Sequence, residues 1–151
     1  MTTKAGEAVT ELLDYDEEAL VDQIAMRATE MRFEPQIAGD LSATVTSDAE
    51  HLGIVENLQE LGGRIFKRIE REMFDLLCGD SQGAQADRQS IIDAIGLGDA
   101  ALGAALVAAM TGIGIAPIVA TAAAALLIKR VLRPAGGVAC DFWGEQLKAR
   151  S

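Results

Sequence analysis

Residues 100–128 carry no charged side chain, a run of 29 residues dominated by alanine, glycine, leucine and isoleucine. Apolar surface of that extent has to leave water, so the run must be buried in protein, in a membrane, or in each alternately. As one straight helix it would be about 44 Å long, against a hydrocarbon core of roughly 30 Å. The segment Thr111-Gly-Ile-Gly-Ile-Ala-Pro117 divides it. Glycines permit a tight reversal, and proline suits the first turn of a new helix because it has no amide hydrogen to lose. The pattern therefore predicts a helical hairpin, with one arm over residues 100–110, a turn built on Gly112, Gly114 and Pro117, and a second arm over residues 117–132.

A small residue recurs at every fourth position through Ala100, Ala104, Ala108, Gly112, Ala116, Ala120 and Ala124, with Gly96 in phase before them. Such a ridge lets helix backbones approach closely, in membranes and on the alanine faces of water-soluble helices alike. The strongly apolar residues of the run would contribute about −3 to −6 kcal/mol to insertion if all lay centrally, which is marginal. Lys129, Arg130 and Arg133 form a basic flank that favours the cytoplasmic side, as does the acidic stretch before the run. A single span cannot satisfy both, whereas a hairpin can. In composition and layout this apolar hairpin resembles the one buried within pore-forming colicin-type domains, a likeness that implies a mechanism and not kinship.

Upstream, the chain reads as acidic amphipathic helix. Net charge is −10, and the acids concentrate before residue 100. A front half of that sign argues against nucleic acid, which needs a basic footprint. With only 4% aromatic residues, the apolar content rests on Ala, Leu and Ile and favours helix over sheet. A first helix is predicted from Asp14 or Asp16 to Met31, with Leu20, Ile24, Ala28 and Met31 on one stripe and Pro35 closing it. Residues 41–46 read as a loop or a short strand. Ser47-Asp-Ala-Glu50 reads as a capping box opening a long helix to about Leu77, with Ile54, Leu58, Leu61, Ile65, Ile69, Met73 and Leu76 on its apolar face. Gly62-Gly63 predicts a kink or a break there. Arg64, Lys67, Arg68 and Arg71 read as a solvated face among acids rather than an anion site. Residues 79–85 form a polar linker, the expected protease-sensitive loop; residues 86–95 form a short helix; Asp99 is placed to cap the run. A last helix holds Phe142, Trp143 and Leu147, with Trp143 read as a core cap before an interfacial anchor.

Chemical signatures are missing. Gly96-Leu-Gly98 with Gly103 has the wrong spacing for a dinucleotide loop, and no acid follows about twenty residues later. His51 stands alone, without a partner at ligand or catalytic spacing, and no Glu-x-x-His motif occurs. Cys78 and Cys140 are far apart and form no C-x-x-C pair, so both are read as reduced residues without a redox or metal role. No catalytic, metal or cofactor residue is expected, and the chain is not read as an enzyme.

The expectation is an all-α chain in two regions: an acidic amphipathic, regulatory region over residues 1–85, and a hydrophobic hairpin with a basic C-terminal helix over residues 86–151. The start, Met1 to Glu7, lacks a secretory layout, so cytoplasmic synthesis is expected, with association to the inner membrane on activation. Two function classes follow. The first is a small membrane-active, pore-forming effector with a toxin or defence role, its hairpin masked in water and self-associating in a bilayer. The second is a soluble helical interaction protein or homo-oligomeric subunit that uses the hairpin as core or interface. The partners expected are a second copy of the chain, a membrane, and a protein partner or protease; nucleic acid is not among them.

Overall fold

The computed structural model describes residues 4–42, 57–79, 85–135 and 140–149. The capping box at residues 47–50, His51, Ile54 and most of the 41–46 and 79–85 segments lie outside the described residues. The fold is all-α: among the described residues there are seven helices of nine residues or more and no strand. They are α1 (Lys4–Leu12), α2 (Glu17–Phe33), α3 (Leu58–Cys78), α4 (Gln85–Ile95), α5 (Asp99–Gly112), α6 (Pro117–Leu127) and α7 (Cys140–Ala149). A 3₁₀ turn, Pro35–Gly39, follows α2; a π turn, Ile128–Leu132, and a short helical turn, Arg133–Ala135, extend α6.

Helix α6 is the axis of the molecule. Every residue from Ile118 to Ile128 is buried. A helix apolar around its whole circumference has no face to offer water. α6 accordingly packs against α1, α2, α3, α5 and the 3₁₀ turn. Full burial of Ile118, Val119, Leu126, Leu127 and Ile128 contributes on the order of 2 kcal/mol each. Helices from both sides of residue 85 thus share one core, since α1 lies on α5 and α2 on α6.

Helix α1 was not expected from the sequence. Ala5, Ala8, Val9 and Leu12 give it an apolar stripe at helical spacing, and all four are buried. Val9 meets α5 at Gly103, where a Cβ would stand 2.6 Å from the Cβ of Val9. Helix α2 begins where Asp16 caps it, accepting from the amide of Ala19 at 2.7 Å. Helix α3 begins at Leu58, capped by Asn57 accepting from the amide of Glu60 at 3.1 Å. Asn57 is extended, so the helix expected to run on from residue 47 does not pass through it. Arg88 of α4 closes the other end of α3, donating to the carbonyls of Leu76 and Gly79. It thereby satisfies acceptors that the helix leaves open.

The break expected as one outcome at Gly62-Gly63 is corrected: α3 is one continuous helix over Leu58–Cys78. Gly62 serves the crossing with α2 instead. A Cβ there would lie 2.1 Å from the backbone oxygen of Val21, so only glycine permits this approach. Gln59 ties the same crossing, donating to the Glu18 carbonyl and to Asp22 Oδ1, each at 2.7 Å. Gly63 has open space where a Cβ would go. Gly62→Ala should therefore lose about 1–3 kcal/mol by overpacking. Gly63→Ala, in the same helix, should gain about 0.5–1 kcal/mol from helix propensity. Urea unfolding of the two variants checks this, and equal shifts would contradict the crossing.

Candidate functional site

The candidate site is the apolar pair α5–α6, the turn between them and the polar ties at the ends of α6. α5 ends at Gly112, the chain turns through Ile113 to Ala116, and Pro117 stands in the first turn of α6. Gly114 has φ 97°, a left-handed backbone that favours glycine. The two helices pack on one another. Gly112 and Gly114 are exposed at this tip, and Ile113 is 40% exposed.

The small-residue ridge does not form one face. In α5, Ala100 and Ala104 are half-buried while Ala108 and Gly112 are exposed; Ala116 is half-buried in the turn; in α6, Ala120 and Ala124 are fully buried. The turn splits the fourfold spacing between an inner helix and a partly solvated one. Beside the tip, Ala28, Met31, Ile65, Ile69, Ile115 and Val119 line an apolar groove, with Arg68 and Glu72 also on its wall.

Asp99 does not cap α5. Gly98, at φ 107°, holds the cap position without a side-chain bond, and Asp99 turns to Arg133, Oδ2 to Nη2 at 2.8 Å. All three residues of the basic flank meet partners within the chain. Lys129 donates to the carbonyl of Tyr15. Arg130 donates to Glu17 Oε1 at 2.8 Å and lies 5.2 Å from the ring centre of Phe66. The π turn allows this. Its extra residue, marked by the Arg133 amide donating to the Ile128 carbonyl, leaves Ile128, Val131 and Leu132 buried while Lys129 and Arg130 reach the α1–α2 junction.

At the opposite end of α6, Arg27 is fully buried. It donates through Nη1 to the carbonyl of Ile118 at 3.0 Å and through Nε to Gln23 Oε1 at 3.1 Å. Burial pushes its guanidinium down to about 10, against the opposing pull of Asp40 and Tyr15. It stays protonated at neutral pH; only above about 10 does stability contributed by this group rise with pH, until the ordinary arginine range is reached. Glu70 is a second buried charged residue, 2% exposed, accepting from Trp143 Nε1 at 3.1 Å. Arg27 was not singled out from sequence. Glu70, read with Glu60 and Glu72 as part of the solvated face around Arg64, Lys67, Arg68 and Arg71, is corrected to a buried residue. Both sit on apolar stripes, Arg27 between Ile24 and Met31 and Glu70 between Phe66 and Met73. A charge in such a stripe was the available signal.

Cys78 and Cys140 are corrected from reduced residues to a disulfide. They are 62 positions apart in sequence, but the end of α3 and the start of α7 bring their Cα atoms to 5.7 Å, within bonding reach. Closing a loop of that size stabilises the folded chain by about 4 kcal/mol on the chain-entropy account. Trp143 is fully buried, as a core cap would be, and meets Phe74 edge-on at 5.3 Å.

Among the described residues no cluster of His, Cys, Asp or Glu could hold a metal ion. Nor is any helix among them long and apolar enough to cross a membrane. Comparison with known proteins finds no matching family model, no similar characterised protein and no similar solved structure.

The ties at the end of α6 are half-exposed ion pairs, and each should be weak. Glu17→Gln with Asp99→Asn should lower stability by about 1 kcal/mol in dilute buffer. The loss should shrink in molar salt, where the pairs are screened. Thermal melts at two salt concentrations read this difference; a salt-independent loss would show that the carboxylates act otherwise.

Proposed function

We propose that the chain is a small membrane-active effector that holds its apolar pair masked in water and inserts it, self-associating, in a bilayer. The observation that carries this reading is the complete burial of α6, from Ile118 to Ile128, beneath α1, α2, α3 and α5. A helix apolar on every side suits two environments, a protein interior and lipid. The ties at its basic end also support it. Lys129, Arg130 and Arg133 are each engaged with Tyr15, Glu17 or Asp99, so unmasking would free them for anionic headgroups. Cytoplasmic synthesis followed by membrane association on activation is the route that goes with this reading, and a toxin or defence role would suit such a device.

A second reading is favoured by a different observation. α5 and the part of α6 before its charged extension are about 21 and 16 Å long, shorter than a hydrocarbon core of roughly 30 Å. On that reading the pair is simply the core of a soluble interaction protein, and the exposed Ala108 and Gly112 belong to a contact with a second copy.

Dye-loaded vesicles containing anionic lipid separate the two. Full-length protein should release little dye, the Glu17→Gln/Asp99→Asn variant several-fold more, and a fragment spanning residues 86–151 most. Absence of leakage from all three would sink the membrane reading. In that case a discrete oligomer by light scattering, remaining in the supernatant after ultracentrifugation, would establish the second.

A further inference from the structure

Helix α7 is attached to the rest of the molecule differently from every other helix. It runs back along α3: Cys140 lies at Cys78, Trp143 at Phe74 and Glu70, and Leu147 beside Gly63, Phe66 and Lys67. Of its ten residues only Trp143 is buried, and Asp141, Glu145, Lys148 and Ala149 are exposed. A ten-residue helix is too short to persist in water on its own helical bonds. Its place therefore rests on contacts with the other helices, among them the indole, Leu147 packed against the core and the disulfide, and of these only the disulfide is a covalent bond that a reductant can open. Both cysteines are only partly buried, so a small thiol can reach them.

We propose that the Cys78–Cys140 disulfide is a redox-operated clasp that holds α7 on α3 and releases it when a dithiol reductant opens the bond. This does not depend on the membrane reading. In the first step a thiolate of the reductant attacks one sulfur, forming a mixed disulfide and expelling the other cysteine as thiolate, which takes up a proton. The second thiol of the reductant then displaces the remaining cysteine. The protein ends with two thiols and the reductant with a disulfide, so two electrons and two protons have passed to the protein. The bond forms in an oxidising compartment and opens in a reducing one, so the state of α7 records which the chain occupies.

What lies beneath α7 gives the release its consequence. Trp143 covers Phe74 and supplies the indole donor to the buried Glu70 carboxylate. Leu147 lines a cavity together with Phe66, Glu70 and Arg130, at the basic end of α6. With α7 released, Glu70 loses that donor and the cavity beside Phe66 and Arg130 loses the wall that Leu147 gives it. Helices α1 to α6 keep their shared core, because α7 contributes only Trp143 to its fully buried set.

Trp143 is the only tryptophan, so its fluorescence reports α7 alone. The full chain is compared before and after dithiothreitol and alongside the Cys78→Ser/Cys140→Ser variant, with thiols titrated and helicity followed by circular dichroism. The expected result is no free thiol before reduction and two after it. Trp143 emission should move to longer wavelength, acrylamide quenching should rise several-fold, and helicity should stay close to its starting value. The double variant should match the reduced chain without any reductant. Two titrated thiols with unchanged Trp143 emission and quenching would overturn the clasp. So would a cooperative loss of helicity on reduction, which would make the bond a staple for the whole fold. Free thiols in protein produced in an oxidising compartment would overturn it as well.

Discussion

A helix with no polar face must be surrounded, and α6 makes that demand along the whole of Ile118–Ile128. A chain of 151 residues has few helices to spend on it. α1 and α2 come from the acidic front, α5 from the same apolar run, and α3 closes the remaining side through α2. Two glycines make the wrapping tight enough. Gly103 brings α5 onto Val9 of α1, and Gly62 brings α3 onto the backbone of α2. Because interiors pack at crystal-like density, each of these close approaches fixes the others. The order of the molecule runs outward from one alanine-rich helix.

Polar anchoring is confined to the ends of that helix. Arg27 reaches the carbonyl of Ile118 near its start, and Lys129, Arg130 and Arg133 face the α1–α2 junction and Asp99 near its finish. Between them the only polar side chain is Thr121, which donates to the carbonyl of Pro117 one turn back. The middle of α6 is thus held by packing alone, which has no direction. The ends add directional bonds to that packing, and the buried Arg27 bond is the stronger of them because water does not compete there.

Much of this was legible in the sequence because it is periodic. The charge-free run, its division by Gly114 and Pro117, the start of α2 at Asp16 and the span of α4 follow from patterns a few residues long. What was not legible depends on residues distant in the chain. Gly62 reads as a helix breaker until Val21 is placed against it. Asp99 reads as a cap until Arg133 is seen to compete for its carboxylate. Cys78 and Cys140 share no spacing motif, and only the return of α7 along α3 joins them. At the candidate site, the turn residues and basic flank stood out as sequence features. The exposure of Ala108 beside the burial of Ala120 did not, since identical spacing says nothing about which arm lies inside.

That difference between the arms bears on what the pair can do. The two helices come from one compositional run, yet α6 is sealed on all sides while α5 leaves Ala108 and the tip at Gly112 and Ile113 in water. On the proposed function, unmasking the pair would not uncover both arms equally, because α5 already stands partly outside the shell. Uncovering α6 on that proposal means withdrawing α1 and α2, which pack on it more extensively than α3 does. Those are the helices whose junction carries Tyr15 and Glu17, the partners of Lys129 and Arg130. Any influence that weakens the junction acts on the cover of α6 and on the charges at its end together, which couples exposure of apolar surface to exposure of basic surface.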